Sequence, residues 1–267
     1  MKVYRLCIAI VAWVLLCPVA GRSQDTNSHW TVPANPDPQK ILQEAEADTR
    51  AGRYEDSLAK HVWFHEHALK IQPAQYGVRL SFALSDWVEL GKSYPRALEK
   101  LKSIRDADSD QIKAGKGTRP LFHDFESINK YCVEQSKTKN VFVWLDTNQP
   151  AFAKEVFDIA EPDLIEAKEY GLCGRYLDPK TSFQQILDQY EMTKRVAKDP
   201  RLGTRTLEFG QKKFSNSSAT LVALLAVNGR TADANDIATK AAAAYNDQEF
   251  KTLLAKAKKG EVPAPWP

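Results

Sequence analysis

The sequence carries little excess charge of either sign: 37 lysines and arginines stand against 34 aspartates and glutamates. Two of the basic residues, Lys2 and Arg5, lie in an apolar amino-terminal stretch, so the rest is closer still to neutral. Such a balance gives no electrostatic footprint for nucleic acid, and no single segment gathers enough lysines to supply one. Alternating β-branched runs are nearly absent, which argues against a sheet-built fold, and after residue 21 no apolar run is long enough to cross a bilayer. Gly-x-Ser-x-Gly, Cys-x-x-Cys and the dinucleotide glycine fingerprint are all missing. Gly115-Lys116-Gly117-Thr118 comes nearest to a phosphate loop, but it lacks the spacing and no strand precedes it. The carboxylates are spread along helical segments as solvated charges. The chain reads as a non-enzyme without a cofactor.

What is present begins with an address. Lys2 and Arg5 precede the apolar run Leu6 to Val19, and the small residues Ala20-Gly21 follow. This is the build of a secretory signal peptide, with cleavage expected after Gly21 and alternatives after Ala20 or Ser23. Cys17 suggests a lipoprotein, yet bulky Leu16 stands where such signals carry a small residue. Residues 22–36 form a polar, proline-bearing lead-in expected to be flexible, residues 37–260 a helical domain, and 261–267 a proline-rich tail expected to be loose. The expectation is a secreted or periplasmic protein that inserts into no membrane once the signal is cleaved. Cys7 and Cys17 leave with the signal. Cys132 and Cys173 remain, and an oxidising compartment permits a disulfide closing a loop of about 42 residues, a contribution of about 4 kcal/mol. The alternative is two buried thiols, since Cys132 continues the stripe Leu121, Phe125, Ile128.

The helical domain opens at Asp37-Pro38, an acceptor for freed backbone N–H groups followed by proline in the first turn. The same device recurs at Asp178-Pro179 and Asp199-Pro200, and Pro162 after Glu161 is expected to start a helix likewise. Gly52 separates a helix over about 38–51 from one over 54–71 that stops at Pro73. A second hairpin is expected over 76–90 and 94–106 about Gly91, a weaker third over 121–133 and 137–146, and a last over 215–245 about Gly229. Between them, 106–120 reads as an exposed loop, and helices are expected near 150–160, 162–170, 180–197 and 203–212.

Tyr54 after Gly52, Ser57 soon after it, and Ala68-Leu69-x-Ile71-x-Pro73 at the close resemble a tetratricopeptide (TPR) unit. Trp87 and Ala97 about Gly91 extend the likeness. The interval from Gly52 to Pro73 exceeds the family's by about one helical turn, roughly 6 Å of rod, and Gly52 and Gly91 lie further apart than the family's repeat of about 34 residues. The units are therefore degenerate, and the resemblance is absent at 151–214. It implies an all-α, TPR-like α-solenoid of stacked antiparallel hairpins that binds a protein or peptide.

On a helical wheel, His61 and His65 fall within the apolar stripe of the second helix, one turn apart. Two histidines so spaced can share a zinc ion, but His67 lies off the stripe and His-Glu-x-x-His does not occur. The expected state is two buried imidazoles, hydrogen-bonded to a neighbouring helix, with depressed pKa values and no metal. Trp63 falls among Asp56, Ala59, Lys60, Glu66, His67 and Lys70 on the face that should meet water. Its cover is expected to be the lead-in, through Trp30 or Val32, or else a partner or second copy.

The TPR resemblance places a binding groove on the first helix of each pair. On the second pair this face carries Val78, Ser81, Phe82, Ser85 and Glu89, and on the first Glu46 and Arg50. The function expected is an exported scaffold that takes an extended or helical peptide there. The alternatives are an envelope protein that self-associates through Trp63 and a metal-dependent enzyme using His61 and His65.

Overall fold

The computed structural model describes residues 29–199, 201 and 203–265. The expected signal peptide lies outside these residues. Thirteen α-helices and no strand occur among them, so the chain is all-α. In order they are α1 (Pro38–Arg50), α2 (Tyr54–Ile71), α3 (Tyr76–Arg79), α4 (Phe82–Ser93), α5 (Pro95–Gln111), α6 (Arg119–Tyr131) and α7 (Ser136–Asn148). There follow α8 (Pro150–Glu166), α9 (Tyr170–Tyr176), α10 (Pro179–Val196), α11 (Gly203–Val227), α12 (Thr231–Ala244) and α13 (Gln248–Ala257).

Local chemistry sets several of these ends. Asp37 accepts from the backbone N–H of Gln39 at 3.0 Å, and Asp178 from that of Thr181 at 2.8 Å, each beside a first-turn proline. Gly52, at φ +77°, reverses the chain after α1; its N–H bonds Thr49 O and that of Arg53 bonds Asp48 O. Gly91 works differently. It lies buried inside α4, where an added Cβ would sit 2.8 Å from Leu98 Cβ, so its lack of a side chain lets α4 and α5 approach. The turn expected there falls instead at Tyr94-Pro95.

Three cores follow one another along the chain. The first joins α1, α2 and α4 through Ile41, Trp63, Phe64, Ala68 and Ala83. The second holds Leu84, Trp87, Leu90, Tyr94, Ala97, Leu101 and Ile128, with the indole of Trp87 donating to Ala97 O at 2.9 Å. The third spans α6 to α13. Helix α6 is the wall between the last two, sending Ile128 one way and Phe122 and Phe125 the other. At its far end α11 buries Leu221 to Leu225 without a break, because α9, α10, α12 and α13 pack around it.

Several expected boundaries move. The loop read at 106–120 is largely helix: α5 continues to Gln111, and a π turn over Ile112–Lys116 inserts fully buried Ile112 into the third core. Its charges misled because Arg105 is buried against Asp106 and Glu134. The helix read over 76–90 breaks between α3 and α4 at Leu80-Ser81. Pro162 starts nothing. It sits inside α8, whose apolar face (Val156, Ile159, Ala160, Leu164) packs on either side of it and outweighs the lost hydrogen bond. Helix α11 likewise joins the helix expected near 203–212 to the first helix of the hairpin expected over 215–245. The tail is docked as far as it is described, with Val262 on the third core and Ala264 O accepting from Asn216.

Candidate functional site

The residues assigned to the groove come from α1 and from the α3–α4 segment, which pack together. Phe82, in the first turn of α4, is 71% exposed, the most open aromatic among the large apolar side chains of the described residues. Ser85 and Glu89 are exposed on the same helix, and Glu89 pairs with Lys92 at 2.5 Å. On α1, Glu46 and Arg50 form an exposed ion pair. Asp86 ties the two helices electrically: burial raises its pKa first, the charge of Glu46 raises it further, and Arg50 opposes both. Sequence reading passed over Asp86. Val78 packs partly into the first core, and Ser81 sits at the helix break, its hydroxyl donating to Gly77 O at 2.6 Å.

Beneath this face lies a buried polar joint. Arg79 of α3 pairs with Asp124 of α6, and its Nε donates to His65 O at 2.7 Å. Its Nη2 lies 3.2 Å from His65 Nε2, which must then be the unprotonated ring nitrogen. Burial, then the Arg79 charge, pulls the His65 pKa down to about 3. Asp108 of α5 is buried with Oδ2 unpartnered. Burial, then the Asp124 charge, pushes its carboxyl up to about 7, with Arg79 opposing. Tyr76 Oη lies 2.9 Å from His123 Nδ1 at the edge of the joint. Thr118 caps α6, so His123 and Asp124 lie a turn inside the helix.

His61 departs from expectation in one respect. Its ring is 1% exposed and stacked on Trp87 at 5.6 Å, yet neither nitrogen has a hydrogen-bond partner, where one to a neighbouring helix was expected. Burial alone brings its pKa down to about 4. No group of three histidine, cysteine, aspartate or glutamate side chains converges as a metal would need among the described residues. The Arg79 guanidinium beside His65 also repels a cation there.

Trp63 is 7% exposed. The lead-in covers it: Trp30 meets it edge-on at 6.3 Å, and Asp56 accepts the backbone N–H groups of His29 at 2.7 Å and Trp30 at 2.9 Å. Residues 29 and 30 are thereby pinned to α2, while Val32 is half exposed. The same cover buries Lys60, expected on the wet face, against Asp48 at 2.5 Å. Cys132 and Cys173 are free thiols, one beside the second core and the other inside the third.

The buried joint was not legible beforehand. Asp108 fell in the stretch read as an exposed loop, Arg79 and Asp124 in mixed helical stretches, and only the packing of α5 and α6 encloses them. The chain matches no protein-family model, no curated protein and no solved structure.

Proposed function

We propose that this chain is an exported, non-enzymatic interaction scaffold: a TPR-like α-solenoid that binds a peptide or protein segment on the face shared by α1 and α4. The observation that carries the reading is Phe82, exposed in the first turn of α4 beside a mixed-charge rim made of Asp86 and the ion pairs Glu46–Arg50 and Glu89–Lys92. An aromatic so open, rimmed by charged groups of both signs, suits an apolar anchor on a partner flanked by polar side chains. Ser85 completes the rim. The sequential packing of α1, α2, α4, α5 and α6 supports a stacked arrangement. Nothing on this face brings acid, base and nucleophile together.

Self-association through Trp63 loses its ground, since Trp30 already covers that indole. The test is site-specific photocrosslinking in the native compartment. A photoreactive residue at position 82 should give one discrete adduct, Ser85→Arg should abolish it, and the same probe at exposed Lys251 should give none. Equal labelling from both positions, or an adduct that Ser85→Arg leaves intact, would overturn the reading.

A further inference from the structure

A cavity of about 280 Å³ opens between α8, α10 and α11, with Pro263 and Pro265 of the carboxy-terminal segment at its rim. Its walls are apolar where Phe157, Ile165, Ile186 and Leu221 meet, and polar where Gln185 and Ser217 face in. The segment across it is fastened. Asn216 Nδ2 donates to Ala264 O at 2.9 Å, and Val262 packs on the core behind.

Two carboxylates line this cavity and no lysine or arginine does. Asp158 is already matched, its Oδ1 accepting from Arg119 Nη1 at 2.7 Å and its Oδ2 pairing with Nη2. Glu161 has no hydrogen bond or ion pair among the described residues; its electrostatic neighbours are the Asp158 carboxylate and the Cys173 thiol behind it. Glu161 is half-buried, its carboxyl opening into the cavity; without a protein partner it is less well stabilised as an anion than in open water, and a cation entering the cavity relieves that deficit. An anionic ligand would meet the unmatched Glu161, with the nearby Arg119 already engaged by Asp158. A neutral hydrocarbon would leave Glu161 as it is.

We infer that this cavity binds a small organic amine, its ammonium paired with Glu161 and its hydrocarbon body against Phe157, Ile165, Ile186 and Leu221. The volume is at the small end for ligand sites, which suits a monoamine with a short chain or one ring. Burial, then the Asp158 charge, holds the Glu161 carboxyl up at about 7, so the free protein keeps it part-protonated near neutral pH. Binding an ammonium ionises it and expels that share of a proton. This site is independent of the α1–α4 face.

The test is calorimetry on the full chain at pH 7 with butylamine, hexylamine and 2-phenylethylamine, against 2-phenylethanol and 3-phenylpropionate. At least one amine should saturate, with net release of protons on binding, read from the dependence of the heat on the buffer. Glu161→Gln should weaken that amine about tenfold or more, while the alcohol and the acid bind poorly to both proteins. The inference is overturned if no amine binds at millimolar concentration, if the alcohol binds as well as the amine, or if Glu161→Gln binds unchanged. The proton count needs only the wild-type chain, so binding without proton release overturns it even should the variant fold badly.

Discussion

Arg79 and Asp124, 45 residues apart in the chain, form an ion pair with both side chains about nine-tenths withdrawn from water. Through its bond to His65 O the same guanidinium holds α2, so one side chain ties α2, α3 and α6. A pair so enclosed contributes little relative to a well-packed apolar one, but removing one member leaves the other charged and alone. Arg79→Met should therefore lower stability by about 3–5 kcal/mol at pH 7. Urea denaturation measures it, and a loss below about 1 kcal/mol would show that Asp124 finds another partner or takes up a proton.

Asp108 gives that joint a pH dependence. Its carboxyl titrates at about 7 in the folded chain and near the ordinary aspartate value when unfolded. A pKa raised on folding favours the native state below the unfolded value, and that advantage is lost as pH rises through the folded value. Between about pH 4 and 7 wild-type stability should thus fall with rising pH through this group, and Asp108→Asn should flatten that part of the profile. A variant that keeps the wild-type slope would remove Asp108 from the account.

The histidines act in the opposite sense. His61 and His65 titrate at about 4 and about 3 when folded, so their contribution is present above pH 6.5 and lost as pH falls through those values. Acid loosening of the first hairpin therefore develops over a window that reaches well below pH 6, and Asp108 partly offsets it. His61→Phe keeps the stack on Trp87 and removes two unpartnered nitrogens. It should stabilise by about 1 kcal/mol at pH 7 and by more at pH 5. Thermal unfolding at both pH values is the measurement, and a destabilised variant would mean that the site is too tight for a six-membered ring.

Val133 ends α6 in the left-handed region, at φ +56°, and is 79% exposed. The backbone bonds around it match those around Gly52: its own N–H reaches Lys130 O, and that of Glu134 reaches Asn129 O. A β-branched residue is strained there and glycine is not. Val133→Gly should raise stability by about 1 kcal/mol, read as a higher melting temperature. An unchanged or lower value would mean that the chain entropy of glycine outweighs the released strain.

Trp30 and Trp63 make the lead-in part of the fold. A chain starting at Asp37 should show red-shifted tryptophan emission and lose about 1–2 kcal/mol of stability, from the aromatic contact and the bonds to Asp56. Unshifted emission would mean that another segment closes over Trp63.

The sequence by itself determined the helical class, the caps at Asp37 and Asp178, the turns at Gly52 and Gly229, and the apolar stripe of Phe125 and Ile128. Each is a local matter of backbone freedom, side-chain acceptors and apolar spacing. Tertiary structure decided whatever depended on which helix lies against which. It carried α8 through Pro162, gave Gly91 a packing role in place of a turn, enclosed Arg79, Asp108 and Asp124, and left Glu161 unmatched in a cavity. The reason is physical: propensity acts within a turn or two of chain, whereas burial depends on neighbours tens of residues away. The same carboxylate is a solvated charge on a lone helix and a costly buried group where three helices meet.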